Sequence, residues 1–472
     1  MTAVGAEPLA ALLARQHAHR AAAPTTAAHR RMKLERLAQG IAARRGEIAA
    51  ALRADFGKPA AEVEITEVQP VLREIRHVRR HLGRWMKPRR VGTPLILFGT
   101  RSEIRYEPKG AVLIIAPWNY PFYLALMPLV AAVAAGNSVV LKSSEKVPAT
   151  SAALARIVAD AFDAREVAVV EGDAAVAAAL VDLRFDHIFF TGSARTGRRV
   201  LAAAAAHLTP VTLELGGKSP AIVDASADVA RAAERIVWGK FLNAGQTCVA
   251  PDYVYVHESV APAFLAEAQR VLATFYGATE EARRQTPDYC RIVDPDGWER
   301  LRSLLDDAVH RGARVETGGT AVAPERYLSP TILSHVPADA GIMQEEIFGP
   351  LLPVLAYRAL DEVLRFVASQ GKPLALYVFS RDRAQIETVL GRTAAGGTVV
   401  NNTVLHLANP YLPFGGVGES GSGSYHGRFG FVTFSHERAV LTQRRPDLIR
   451  LFFPPYGPRV RRVLAWVDRL LS

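Results

Sequence analysis

Four short apolar segments, each followed by an Ala- and Leu-rich stretch of helical character, constrain this chain more than any other feature. Ala111-Val112-Leu113-Ile114-Ile115 is apolar without a break. That is the pattern of a parallel strand covered on both faces, not of an antiparallel strand with one wet side. A helix from about Leu124 is expected to stop at Gly136. Strands at 138–142, 167–170 and 187–190 follow, separated by a helix starting near Pro148 and a second Ala-rich helix, with a third helix after Gly197. The alternation predicts an α/β fold with an open, doubly wound parallel sheet. Such sheets bind ligands beyond the carboxyl ends of their strands.

On either side the pattern changes. Residues 1–90 read as helical, with Leu34, Leu37, Ile41, Ile48 and Leu52 at helical spacing, until Pro88 and Gly92 punctuate the chain. Residues 95–106 read as a pair of short strands around Gly99-Thr100. A second α/β region is expected from about Gly216 to Asn402, its clearest strands at 253–257, 375–380 and 398–401. Glycines crowd together from Gly415 to Gly430, where other backbone should approach closely.

Composition narrows the function classes. The 472 residues are 49% hydrophobic and 22% charged, an ordinary globular balance with room for two lobes. A formal charge of +11 favours anionic ligands, but it is spread along the chain with no aromatic-interleaved basic block, so no nucleic-acid partner is expected. The two cysteines, Cys248 and Cys290, suggest no disulfide framework. With no signal-like N-terminus and no apolar run of about 18 residues, the expected setting is cytoplasmic. No metal-ligand spacing appears, and no metal is expected.

Three residues could carry chemistry, and each has a plainer alternative. Cys248 closes Asn243-Ala244-Gly245-Gln246-Thr247-Cys248, a polar, glycine-containing loop after a helix expected at 229–242. There a thiolate could attack an electrophilic carbon, although a lone cysteine is commonly a small buried apolar group. Glu214 lies among apolar strand residues, where desolvation would raise its pKa and suit it as a general base. Alternatively it pairs with Lys218. Asn119, between Pro117 and Pro121, could donate to an oxyanion or simply form a turn. Gly192-Ser193-Ala194-Arg195-Thr196-Gly197 joins a strand to a helix, where backbone amides could face a pyrophosphate, but it matches neither the dinucleotide fingerprint nor a P-loop.

Taken together and in order, these segments resemble the aldehyde dehydrogenase superfamily. The matching motifs are Pro117 to Pro121, Val140-Leu141-Lys142, Phe190-Thr191-Gly192-Ser193, Leu213 to Lys218, Gly245 to Cys248, Gln344 to Pro350 and Leu412 to Gly416. Pro287-Asp288-Tyr289, Gly423 to Gly427 and Thr433 to His436 are similar to the class 3 branch, which holds fatty and aromatic aldehyde dehydrogenases. Ala194 departs from the hydroxyl residue of many relatives, and Cys290 from a glycine.

The resemblance implies oxidation of an aldehyde to its acid through a thioester on Cys248. Asn119 and the Cys248 backbone N–H would hold the oxyanion, and Glu214 would activate water. Lys142, Glu145, Gly192, Ser193, Gly197, Glu346 and Phe348 would bind NAD. A carboxylate at Glu145 would repel a 2′-phosphate, so NADP is possible but disfavoured. Tyr120 would line a tunnel for medium- or long-chain aliphatic, or aromatic, aldehydes. The implied domains are a cofactor domain (1–94 and 109–215), a catalytic domain (216–420), and a small β bridging and oligomerisation element (95–108 and 421–472) supporting a homodimer. Val460, Val463, Leu464, Val467, Leu470 and Leu471 form an apolar stripe in a basic tail. It could pack on the enzyme or a second subunit, cap the substrate funnel, or touch a membrane peripherally. A dehydrogenase that passes its thioester to coenzyme A and a catalytically silent scaffold are the alternatives. Glu214 counts against the first, and the joint presence of Cys248, Glu214 and Asn119 against the second.

Overall fold

The computed structural model describes residues 9–22, 25–94 and 97–471, without the side chains of 21, 22, 448, 451, 467, 468, 470 and 471. Leu95 and Ile96, and the stripe side chains Val467, Leu470 and Leu471, therefore lie outside the described set.

The continuous apolar runs become the first sheet. Its order is Gly421–Ser422, Val211–Glu214, His187–Thr191, Ala111–Ile115, Ser138–Lys142, Val167–Val170, parallel except for the first pair. Chain order reverses between Ala111–Ile115 and His187–Thr191, which opens a crevice at their carboxyl ends. Both faces of the Ala111–Ile115 strand are covered. Val112 and Ile114 face one apolar cluster, with Leu34, Leu37 and the helix Tyr123–Ala135. Ala111, Leu113 and Ile115 face another, with Leu12, Val200 and Leu213. Burying each such Val, Leu or Ile contributes about 1.5–3 kcal/mol, which explains why no polar residue interrupts the run. The Tyr123–Ala135 helix is buried along its whole length and ends on Gly136 in the left-handed conformation, φ 94°.

The second region forms a seven-stranded sheet in the order Arg314–Thr317, Thr331–Ser334, Leu351–Tyr357, Tyr253–His257, Pro220–Val223, Ala375–Phe379, Gly397–Val400, with only the Arg314–Thr317 edge antiparallel. Its core is continuous with one face of the first sheet. The third sheet corrects the expectation of a local strand pair at 95–106. One strand, Thr100–Pro108, pairs antiparallel along its length with the distant Ser435–Gln443, and Arg89–Arg90 adds on its other side. Local sequence shows extended character there but not the partner. No helix among the described residues is long and apolar enough to cross a membrane.

Candidate active site

Four sequence segments singled out for chemistry sit at the carboxyl ends of first-sheet strands. Trp118-Asn119-Tyr120 follows Ala111–Ile115, Lys142 to Glu145 ends Ser138–Lys142, Gly192-Ser193 follows His187–Thr191, and Glu214 ends Val211–Glu214. Two second-sheet loops meet them. Cys248 lies between the helix Val229–Phe241 and the strand Tyr253–His257, and Glu346 to Phe348 precedes Leu351–Tyr357.

The Cys248 loop is built tightly. Asn243, Ala244 and Gly245 all take positive φ (56°, 50° and 73°). A Cβ on Gly245 would lie 2.2 Å from the Gly349 carbonyl oxygen, so only glycine lets the two loops touch. Asn243 Nδ2 donates to the carbonyls of Asn119 (2.9 Å) and Gln246 (3.0 Å). Gln246 Nε2 donates to the Asn243 and Arg291 carbonyls, and its Oε1 accepts from Val293 N–H. Asn119 Nδ2 donates to the Gln246 carbonyl at 3.1 Å, and the hydroxyls of Tyr120 and Thr247 lie 2.7 Å apart. Of residues 243–250 only Cys248 is not buried. Its side chain lines a cavity of about 340 Å³ with Tyr120, Tyr123, Trp238, Leu405 and Phe414. Cys290, by contrast, is buried with its sulfur 4.0 Å from Asn243 Oδ1.

The electrostatics are acidic. Burial pushes the Cys248 thiol up to about 12, with Glu346 and Glu214 adding to the rise and the backbone N–H groups of Cys248 and Val249 opposing it. Burial alone holds Glu214 well above the usual carboxylate range. Both Glu214 oxygens are buried without a hydrogen-bond partner among the described residues. The ion pair with Lys218 does not form. Lys218 instead pairs with buried Asp252 and donates to the Ile342 and Glu345 carbonyls, and Asp252 accepts from Ile347 N–H, so that pair anchors the Glu346 loop. Burial beside Asp252 raises Glu346 to about 8. Its carboxylate rests on Gly216, where a Cβ would come within 2.2 Å. Phe348, at φ 49°, meets Trp118 edge-on at 5.4 Å.

On the crevice side, Lys142 is buried and its Nζ donates to the Ser143 carbonyl at 2.5 Å and reaches half-exposed Glu145 at 3.4 Å. Ser193 caps the helix Ala194–Ala205 by accepting from Thr196 N–H. Gly197 is turned toward the sheet, where its missing side chain makes room for Leu215. The hydroxyls of Ser143 and Thr191 are buried without a hydrogen-bond partner among the described residues. A helix N-terminus, a strand-end lysine and two orphaned hydroxyls around a switch-point crevice fit the phosphates and riboses of a dinucleotide.

The profile of the aldehyde dehydrogenase family matches residues 5–440. The chain belongs to the aldehyde dehydrogenase family. It is 45% identical over 437 residues to the 4,4′-diaponeurosporen-aldehyde dehydrogenase of Staphylococcus aureus, covering 93% of this chain and 94% of that one. It is 43% identical over 419 residues to aldehyde dehydrogenase family 3 member B2 of Mus musculus, covering 88% and 86%. Among solved structures, the substrate-bound state of Staphylococcus aureus AldH superposes with a TM-score of 0.93 at 42% identity, covering 98% and 100%. The NAD+ complex of an aldehyde dehydrogenase from Bacillus cereus does so at 0.84 and 26%, covering 92% and 88%. The enzyme is thus an NAD(P)-dependent aldehyde dehydrogenase resembling the class 3 branch.

Several side chains of this dehydrogenase's site gave no sequence signal. His426 Nε2 lies 3.1 Å from the Tyr123 hydroxyl, and the His426 ring stacks on Phe414 at 5.0 Å. Glu74 accepts from Gly427 N–H at 2.7 Å and is raised to about 7 by burial. His426 lies inside a segment singled out for its family likeness, but nothing local marks it as a cavity residue.

Proposed function

We propose that Cys248 is the nucleophile, Asn119 Nδ2 and the Cys248 backbone N–H the oxyanion donors, and Glu214 the hydrolytic base. The observation that carries this is that Cys248, the one residue of 243–250 that is not fully buried, lines an apolar cavity and is electrostatically coupled to Glu214 and Glu346. The deprotonated sulfur attacks the aldehyde carbon, and the carbonyl oxygen gains the electron pair in reach of the Asn119 amide. Bound NAD, held by Glu346 and Phe348 at its nicotinamide ribose, would supply the hydride acceptor for that carbon. Glu214 then takes a proton from water as the water oxygen attacks the Cys248 thioester, and the acid leaves as the sulfur is released. A carboxylate whose oxygens have no hydrogen-bond partner among the described residues is suited to holding that water. The comparisons give no support to the coenzyme A-acylating alternative.

For the cofactor we assign Lys142 and Glu145 to the adenosine ribose, Gly192 and Ser193 to the phosphates, with Gly197 closing the helix on the sheet, and Glu346 and Phe348 to the nicotinamide ribose. Half-exposed Glu145 favours NAD over NADP. The apolar walls and Tyr120 favour medium- or long-chain aliphatic, or aromatic, aldehydes. We divide the chain into a cofactor domain (1–94 and 109–215), a catalytic domain (216–420) and a bridging element (95–108 and 421–472). The Ser435–Gln443 strand is a mostly exposed sheet edge with Leu441 56% exposed, which supports a homodimer. The tail helix Pro458–Leu471 buries Val460 but exposes Leu464 and Trp466. We read the exposed Leu464 side, which continues the Val460 stripe, as dimer-directed, and flotation of intact and tail-deleted enzyme with anionic liposomes tests the peripheral membrane alternative. NADH absorbance with an aldehyde panel tests the whole reading. Cys248→Ala must abolish turnover, and residual activity in it would refute the assignment.

A further inference from the structure

Behind the cavity wall, outside the groups that would touch substrate or cofactor, Lys58 and Glu67 form an ion pair at 2.7 Å with both side chains wholly buried. Each has a second engagement. Glu67 Oε2 accepts at 2.8 Å from Tyr123 N–H, at the start of the long buried helix that follows the Asn119-Tyr120 turn. Lys58 Nζ stands 3.9 Å from the centroid of the Tyr120 ring. That ring's hydroxyl is 2.7 Å from Thr247, the neighbour of Cys248. The pair comes together because residues Glu64–Val68 form a π turn within the helical stretch. The extra residue turns Glu67 inward while Ile65 and Thr66 face the cavity. π turns of this kind recur beside functional sites.

A buried ion pair is a weak source of stability, since an apolar pair of similar volume commonly serves as well. Its geometry here has a directional consequence. The ammonium fixes the Tyr120 ring from below, the carboxylate fixes Tyr123 N–H, and Asn243 holds the Asn119 carbonyl from the other side. The segment bearing the Asn119 amide is thereby gripped at both ends.

We infer that Lys58 and Glu67 are positioning residues for the reaction: through the Tyr120 ring and Tyr123 N–H they hold the Asn119 amide in register with the Cys248 sulfur. The inference rests on the reading of Cys248 and Asn119 proposed above. It concerns kcat, because a misaligned oxyanion donor affects the transition state more than the bound aldehyde.

The test uses the full-length enzyme with NAD and a saturating aldehyde. In the double variant Lys58→Met/Glu67→Gln, expected results are a melting temperature close to the parent's, KM within about twofold and kcat lowered at least tenfold. Tyr120→Phe keeps the ion pair and removes only the tether to Thr247, and should also lower kcat at unchanged melting temperature. Adding Tyr120→Phe to the double variant should lower kcat little further, because both act along one line. Equal kcat in the double variant and the parent, or full additivity with Tyr120→Phe, overturns the inference. Should the double variant not fold, parent-like kcat in Tyr120→Phe alone overturns it. Cys248→Ala is run alongside. If it is inactive while the ion-pair variants are fully active, only this inference fails, and if it is active, the assignment of the nucleophile fails.

Discussion

Replacing Glu214 by glutamine separates its chemistry from its structural effect. Neither Glu214 oxygen has a hydrogen-bond partner among the described residues, and the strand pairing of Val211–Glu214 uses backbone only, so the isosteric amide breaks no contact. The amide is as unpartnered as the carboxyl group it replaces but carries no charge, so the substitution removes only the desolvation cost of the ionised form and should leave stability close to the parent's at low pH and equal or higher once the carboxyl ionises. The catalytic loss should be large. A positioned general base contributes about 10²–10⁴ in rate, or about 3–5 kcal/mol.

The pH dependence carries a sign that can be checked. Burial raises the Glu214 pKa in the folded state above its unfolded value. Between those two values the folded protein binds more protons, so this group's contribution is fully present below the unfolded pKa and is lost as pH rises through the folded one. The melting temperature of Glu214→Gln relative to the parent should therefore grow more favourable from about pH 4.5 upward, the ordinary carboxylate range. In rapid mixing with NAD and aldehyde, the variant should release a burst of NADH of about one equivalent and then turn over slowly, with the acyl adduct on Cys248 visible by intact mass. Deacylation within about threefold of the parent, against the 10²–10⁴ expected of a base, would refute the role. A variant less stable than the parent at every pH would refute the electrostatic argument.

Asn119→Ala should lower kcat by about 10²–10³, with a smaller effect on KM, in steady-state assays with one aldehyde. Gly245→Ala places a Cβ 2.2 Å from the Gly349 carbonyl at φ 73°, so backbone strain of about 1–3 kcal/mol should appear as a lower melting temperature and slower acylation. The Cys248 thiol, raised to about 12, should be alkylated slowly at neutral pH in the free enzyme, roughly tenfold faster per pH unit, and faster again with NAD+ present. Mass spectrometry of iodoacetamide-treated enzyme reads this, and a rate independent of pH would contradict it. In Glu145→Gln, kcat/KM should rise for NADP and fall for NAD, since the variant removes the charge that opposes a 2′-phosphate.

Much of this protein was legible in its linear order because the decisive forces there are local. A run such as Ala111–Ile115 can be stable only if both faces are covered, and the alternation with helices then leaves a parallel sheet as the solution. The strand ends at Asn119, Lys142, Ser193 and Glu214 follow from that sheet. The apolar flanks of Glu214 foretold its desolvation, since immediate neighbours bury a strand residue. Lys218, four residues on, was a poor guide because its partner Asp252 arrives from the loop that leads into the distant Tyr253–His257 strand. The Thr100–Pro108 strand showed its extended character but not its mate 300 and more residues away. Lys58 and Glu67 would pass for solvent-facing charges on a helical stretch. Only folding, which brings the π turn beneath Tyr120, makes them a wholly buried pair. The shape of the cavity and the alignment of its donors were likewise decided in three dimensions, because contacts between residues far apart in sequence leave no periodicity to read.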